Sequence, residues 1–448
     1  MPTSPPPALN WSRRKLRLFK LALLLSALLF ALLSAEIALR IAGYTYPVFY
    51  TTDTVRGYAL EPGLSGWYRK EGAAYIRINS EGLRDREHPK EKPANTLRIA
   101  LLGDSYAEAL QVPLEAAFWV VLEQRLQGCQ AFSAGRRVEV VNFGVSGYGT
   151  AQELLTLRER VWDYAPDIVL LAVTTNNDIT DNLRAFKKAE EIPYFVHRDG
   201  QLALDDSFRE SRTFRLRHSA INRAGRWIRA RLRVLQAFHE GHYTLKNYLA
   251  SRRAPAAKAP ADADAATATS TPAANIPAPV RDGANAATTN AQPPSGNEDA
   301  ANVADELGID NLIYREPADA NWQEAWRVTE NLLRQMRDEV RGRGAQFIVA
   351  TLSNGVQVHP RPEARAAFLA RVGASDIFYP DMRLKSLGER EGFPVHTLAP
   401  ALQQYAEQRQ TFLHGFERNL GNGHWNVEGH RAAGELLAQR ICAVSGTN

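Results

Sequence analysis

The sequence predicts an α/β protein: a flavodoxin-like, three-layer α/β/α arrangement around a parallel sheet, with an N-terminal transmembrane helix and a disordered insertion. Three observations predict it. Short, almost wholly apolar runs (RIALLG, VEVVNF and IVLLAV) alternate with longer helical patterns, as expected of strands covered on both faces. Each run stops at a turn rich in Gly, Ser or Asn. Near the N-terminus a cluster of cations precedes an uncharged apolar stretch.

In chain order, Arg13, Arg14, Lys15, Arg17 and Lys20 come before the uncharged run Leu21 to Ala35. The apolar pattern continues through Ile37, Ala38, Leu39, Ile41 and Ala42, and Glu36 and Arg40 can pair one helical turn apart. Leu33 spoils the small-x-small cleavage pattern ending at Ala35. The expectation is an uncleaved signal anchor over 16–42, after a cytoplasmic tail over 1–15. The cationic flank stays in the cytoplasm, so this single-pass membrane protein places the rest in the periplasm or outside the cell. Residues 43–95 read as a membrane-proximal segment with a strand at Tyr75–Asn79.

The main domain, 96–448, reads as strand Leu97–Leu102, helix Ala116–Leu126, strand Val138–Phe143, helix Thr150–Tyr164 and strand Ile168–Val173. Helix Trp322–Arg341, strand Gln346–Leu352, a helix near Asp381–Arg390, strand Pro394–Leu398 and helix Glu428–Ala443 complete it. Two insertions interrupt it. Residues 181–250 hold nine arginines between Arg209 and Arg233, interleaved with Phe214, Leu216, Ile221, Trp227, Ile228 and Leu232. That pattern is an amphipathic helix with a cationic face. It fits a solvated cover for the sheet, a contact with anionic lipid or acidic glycan, or a wall of the substrate cleft. Residues 251–302 are low in large apolar side chains and rich in Ala, Pro, Thr and Asn, so they are expected to be a disordered loop.

The chain has 448 residues, 45% hydrophobic, with net charge +5. No basic-aromatic nucleic-acid motif, no Cys/His cluster at metal-ligand spacing and no phosphate-binding glycine loop is present. The expectation is therefore no cofactor, no metal and no nucleic acid, with the inner membrane as a partner through the N-terminal helix. In a flavodoxin-like sheet the first and last helices lie side by side, which places Cys129 and Cys442 at one end. A disulfide between them is expected, the alternative being two buried thiols.

Chemistry is carried by the turns. Gly103-Asp104-Ser105 ends the first strand and puts a serine hydroxyl at the crevice edge of the sheet. Gly144-Val145-Ser146-Gly147 follows the second strand, Asn176-Asn177-Asp178 follows the third, and Gly423-His424 precedes the last helix. All strand ends of a parallel sheet lie along one edge, so these groups can converge. A serine needs an imidazole to take its proton. An acyl transition state needs donors for its oxyanion, here the N–H groups of Ser105 and Gly147 and the amide of Asn177. Asp104 reads as a brace for its turn, and His430 as structural.

These blocks resemble the SGNH (GDSL-type) hydrolase superfamily, and the lead-in Asn79-Ser80-Glu81-Gly82-Leu83-Arg84 resembles its membrane-anchored bacterial members. The resemblance implies the SGNH hydrolase fold, Ser105 as nucleophile, Gly147 and Asn177 as oxyanion donors and His424 as general base. Thr175 replaces the usual glycine of the third block. The family's aspartate, two or three residues before the histidine, is replaced by Gly421 and Asn422. Asn422 in the orienting position implies reduced activity or an acid from elsewhere, and Glu428, one turn beyond His424, is the carboxylate near at hand. The expected function is an anchored extracytoplasmic serine esterase removing O-acyl groups, such as acetyl esters of envelope carbohydrate. The alternatives are an O-acyltransferase acting on envelope polysaccharide, or a degenerate, non-catalytic glycan-binding scaffold.

Overall fold

The computed structural model describes residues 12–253 and 309–445. The expected disordered loop lies outside these residues, apart from its first three. Two compact units divide the described residues, 49–223 with 309–445 and 12–48 with 224–253.

The larger unit is built on a five-stranded parallel sheet. Its strands are β1 (Thr96–Gly103), β2 (Arg137–Asn142), β3 (Ile168–Thr174), β4 (Gln346–Leu352) and β5 (Val395–Thr397), in the order β5-β4-β3-β1-β2. β1 and β3 are buried along their whole length, which explains their unbroken apolar runs. Alternate side chains feed two separate cores. Leu97, Ile99 and Leu101 of β1 join Leu170 and Ala172 of β3 on one face. Ala100 and Leu102 join Val169, Leu171 and Val173 on the other.

The helices α1 (Phe118–Gln127), α2 (Thr150–Glu159), α3 (Ala320–Gly342), α4 (Tyr379–Glu391), α5 (Ala399–Arg409) and α6 (Val427–Ser445) close the sandwich. Leu122, Leu126, Leu402 and Leu437, from α1, α5 and α6, cover the first face. Leu154, Leu157, Trp326, Leu333, Met336 and Leu384, from α2, α3 and α4, cover the second. Three layers result, α/β/α. Cys129 and Cys442, just beyond α1 and near the end of α6, form a disulfide with Cα atoms 6.2 Å apart. The strand order reverses between β1 and β3, which opens a crevice at their carboxyl ends.

Two antiparallel hairpins precede the sheet, Tyr50–Asp53 with Gly57–Leu60 and Ser65–Tyr68 with Ala74–Arg77. Leu60, Ala74, Ile76 and Ile78 pack with Leu110, Val145 and Tyr148, which lie in the loops after β1 and β2. The hairpins are thereby fastened to the crevice edge.

In the smaller unit the N-terminal helix Arg13–Ile41 has 29 residues and is long and apolar enough to cross a membrane. Glu36 pairs with Arg40, as the spacing predicts. Glu36 also accepts a bond from the backbone N–H of Val234, at the start of helix Arg233–Arg253.

Candidate active site

Ser105 opens a single helical turn, Ser105–Glu108, directly after β1. Asp104 caps that turn, accepting from the Tyr106 N–H at 3.0 Å. Its carboxylate also takes the Thr174 hydroxyl at 3.0 Å and the Asn177 amide at 2.8 Å. Asp104 thus ties the end of β1 to the end of β3, as a brace for its turn should. Close packing leaves no room for side chains here: a Cβ on Gly144 would sit 2.4 Å from Ala107 Cβ.

The Ser105 hydroxyl lies 2.8 Å from His424 Nε2. On the far side of the ring, His424 Nδ1 lies 2.5 Å from Glu71 Oε2, and the His424 backbone N–H donates to Glu71 Oε1 at 2.7 Å. A carboxylate is acceptor-only, so the imidazole carries its proton on Nδ1 and offers Nε2 to the serine. Burial pushes the His424 pKa down, but the hydrogen bond and charge of Glu71 outweigh it and hold it above the ordinary value. Burial pushes Glu71 up, but the side-chain bond, the charge and the backbone N–H of His424 together outweigh it, leaving the carboxyl lowered.

The partner at Nδ1 is therefore Glu71 and not Asn422: of the two outcomes the sequence left open, an acid comes from elsewhere in the chain, and it is not Glu428. Asn422 is exposed, and no bond joins it to His424 among the described residues. Glu428 is committed elsewhere, to Tyr405 and Arg431. Glu71 sits at the tip of the second hairpin, 353 residues from His424 in sequence. Two glycines permit its approach. A Cβ on Gly423, at φ +77, would lie 2.2 Å from Glu71 Oε1, and one on Gly72, at φ +67, would lie 2.4 Å from the Gln111 carbonyl.

His424 is held by a self-bonded loop before α6. The Gly415 N–H donates to the His424 carbonyl and the Gly421 N–H to the His414 carbonyl, each at 2.9 Å. His414 is buried and bonds Ser353, whose hydroxyl accepts from the Trp425 indole at 2.8 Å. Burial pushes His414 down to about 4, so it is neutral structural support. His430 is likewise buried, stacked on Phe118 and accepting from its N–H.

Gly147 has φ +77, in the turn after β2. Every neighbouring polar group of that turn is pinned. Glu108 accepts from the Ser146 N–H at 2.7 Å and from the Ser146 hydroxyl, Tyr58 donates to the Ser146 carbonyl at 2.9 Å, and Lys187 donates to the Gly147 carbonyl at 3.1 Å. The Gly147 N–H itself carries no bond among the described residues. Asn177 gives one amide N–H to Asp104 and keeps a second. Ser105, Gly147, Asn177 and His424 all line one cleft of about 840 Å³, together with Tyr50, Tyr68, Tyr314 and Phe368. No group of residues suited to a metal ion occurs among the described residues.

No protein-family model matches the chain, and no curated protein matches its sequence. Among solved structures it is similar to an acetyl xylan esterase, AlAXEase, at 8% identity over 77% of this chain and 100% of that one, with a TM-score of 0.33. It is also similar to an acetylxylan esterase from Geobacillus stearothermophilus, at 10% identity over 79% and 96% and a TM-score of 0.34. A lipase/acylhydrolase from Enterococcus faecalis matches at 12% identity over 78% and 96%, with a TM-score of 0.31. At such scores the likeness carries no chemistry across, and the functional reading rests on this chain's own geometry.

Proposed function

We propose that this chain is a serine esterase of the SGNH type, anchored in a membrane by its N-terminal helix, that removes small O-acyl groups from carbohydrate. The observation that carries the reading is the unbroken relay from Ser105 through His424 to Glu71 at 2.8 and 2.5 Å, opening on a cleft. Ser105 attacks the ester carbonyl while His424 Nε2 takes its proton. Glu71 stabilises the imidazolium that results. The N–H groups of Ser105 and Gly147 and the Asn177 amide receive the oxyanion. His424 then returns the proton to the departing alcohol, and a water, activated the same way, frees Ser105 as the acid leaves. The missing aspartate was the reason to consider a non-catalytic scaffold, and Glu71 supplies the charge it lacked.

Carbohydrate is supported by the cleft lining, where tyrosine rings occur together with the amides of Asn176 and Asn177, groups that suit a polyhydroxylated substrate. Anchoring is supported by the 29-residue helix Arg13–Ile41, whose first eight residues carry five cations ahead of the uncharged run Leu21 to Ala35. The test is acetate release from an O-acetylated glycan and from p-nitrophenyl acetate by the full-length protein in detergent. Ser105→Ala should abolish both. Equal release by wild type and Ser105→Ala would reject the reading. Adding a glycan acceptor tests the transferase alternative, which requires acyl transfer to outpace hydrolysis.

A further inference from the structure

The arginine-rich segment after residue 211 plays no part in the proposed catalysis. Between 211 and 239 the chain has eight arginines and no acidic residue. The helix Ala220–Arg231 divides its surface. Ile221, Ala224 and Ile228 follow one stripe, while Arg223, Arg226 and Arg229 follow another, at helical spacing. The apolar side is uncovered: Ile221 is 85% exposed, Trp227 54% and, a few residues on, Phe238 75%. A guanidinium from Arg231 lies over the Trp227 ring at 4.1 Å.

This segment is tied to one end of the apolar N-terminal helix. Arg40 donates to the Arg231 carbonyl at 2.8 Å, Glu36 receives the Val234 N–H at 3.0 Å, and the Gln236 side chain receives the Tyr46 N–H at 2.8 Å. Arg40 falls in the last turn of that helix, at the end opposite the cluster Arg13, Arg14, Lys15, Arg17 and Lys20. A cationic amphipathic helix fastened where a span leaves the bilayer meets lipid phosphates and acyl boundary together.

We infer that the segment 220–238 is a membrane-surface element that lies on the anionic lipid of the leaflet where the N-terminal helix emerges. Its arginines engage phosphate, and Ile221, Trp227, Ile228 and Phe238 enter the acyl boundary. The inference rests on the anchoring reading above. The surface charge of the lipid, not the span alone, then sets how firmly the segment is held.

The test reconstitutes the full-length protein into vesicles of phosphatidylcholine, with or without phosphatidylglycerol. Co-flotation with vesicles reports the anchor, and amide exchange over 220–238 reports the surface element. The expected result is about fivefold or slower exchange with phosphatidylglycerol than without it, weakened by added salt. The triple variant Arg223→Gln/Arg226→Gln/Arg229→Gln should lose that difference while still co-floating and hydrolysing p-nitrophenyl acetate at the wild-type rate. Brominated lipid should quench a component of the fluorescence that Trp227→Phe removes. Loss of co-flotation would refute the anchor. Co-flotation with exchange independent of lipid charge, or with Trp227 unquenched, would refute the surface element and point to a protein covering this face.

Discussion

Glu71→Gln keeps the shape of the side chain and removes its charge. The carboxylate lies 2.5 Å from His424 Nδ1, so on the proposed mechanism it stabilises the imidazolium that forms when Ser105 attacks. With about 4 Å between charge centres and an effective dielectric of about 20, the attraction is about 4 kcal/mol. At about 1.4 kcal/mol per decade, that corresponds to a fall of about 10³ in kcat. Freedom for the ring to take the wrong tautomer brings the loss toward about 10⁴. The pH profile supplies a second readout. On that mechanism the base is active once His424 loses its proton, so wild-type kcat/KM should rise with pH through a pKa above the ordinary 6.5. Burial pushes that pKa down and Glu71 more than restores it, so Glu71→Gln moves the inflection to lower pH. The assay is p-nitrophenyl acetate hydrolysis from pH 5 to 9, with Asn422→Ala as a control expected within about threefold of wild type. A fall of less than about tenfold in Glu71→Gln, or an inflection that stays in place, would refute the role given to Glu71.

Gly423→Ala should act like a Glu71 substitution, because the new methyl falls 2.2 Å from Glu71 Oε1 at a backbone angle that costs about 1–2 kcal/mol for an L-residue; a near-normal rate would show that the carboxylate has another route to His424. Glu108→Ala frees the Ser146 amide and hydroxyl that hold the Gly147 turn, so kcat should fall by about 10²-fold with little change in KM, as for loss of one oxyanion donor. Burial, then the Asp104 charge, raises the Glu153 carboxyl, whose two oxygens have no partner among the described residues. A carboxyl raised on folding holds more protons folded than unfolded, so it favours the fold below the unfolded pKa and loses that contribution as pH climbs through its folded pKa. Wild type should therefore lose thermal stability relative to Glu153→Gln as pH rises from about 4.5, by up to about 1.4 kcal/mol per pH unit until the folded pKa is reached; parallel curves would count against it. Reducing the Cys129–Cys442 disulfide, which closes a 313-residue separation, should lower stability by as much as about 5 kcal/mol on the chain-entropy account, read as a fall in thermal midpoint.

The sheet was legible because its strands are buried on both faces. The runs around Ile99, Val140, Val169 and Ile348 have no competing reading, and their ends fall within a residue or two of the expected ones. Helices such as α5 were harder, since Gln403, Gln404 and Glu407 dilute a short apolar stripe made by Leu402 and Ala406. Of the hairpins at 50–77 and 194–205 the sequence showed the strand Ala74–Arg77, expected at Tyr75–Asn79; the other strands have four or five residues, too short for alternation to register. Ser105, Gly147, Asn177 and His424 stand out because each follows a strand or precedes a helix at one sheet edge. Glu71 carries no such mark. Its neighbours form an ordinary Glu-Gly turn, and only the packing of Ile76 and Ile78 against Leu110 and Val145 brings that turn to the cleft. The available hints were the absent acid at Gly421 and Asn422, and a glycine on either side of the contact, Gly72 and Gly423, each with positive φ.

On the proposed mechanism Ser105 is a nucleophile activated by His424 and Glu71. Labelling the full-length protein with a fluorophosphonate ester, and locating the adduct by mass spectrometry, tests it most directly. A single adduct on Ser105 is expected, absent in His424→Ala and formed at least about 10²-fold more slowly in Glu71→Gln. A folded protein that leaves Ser105 unlabelled, or labels it as fast without Glu71 as with it, would overturn that mechanism.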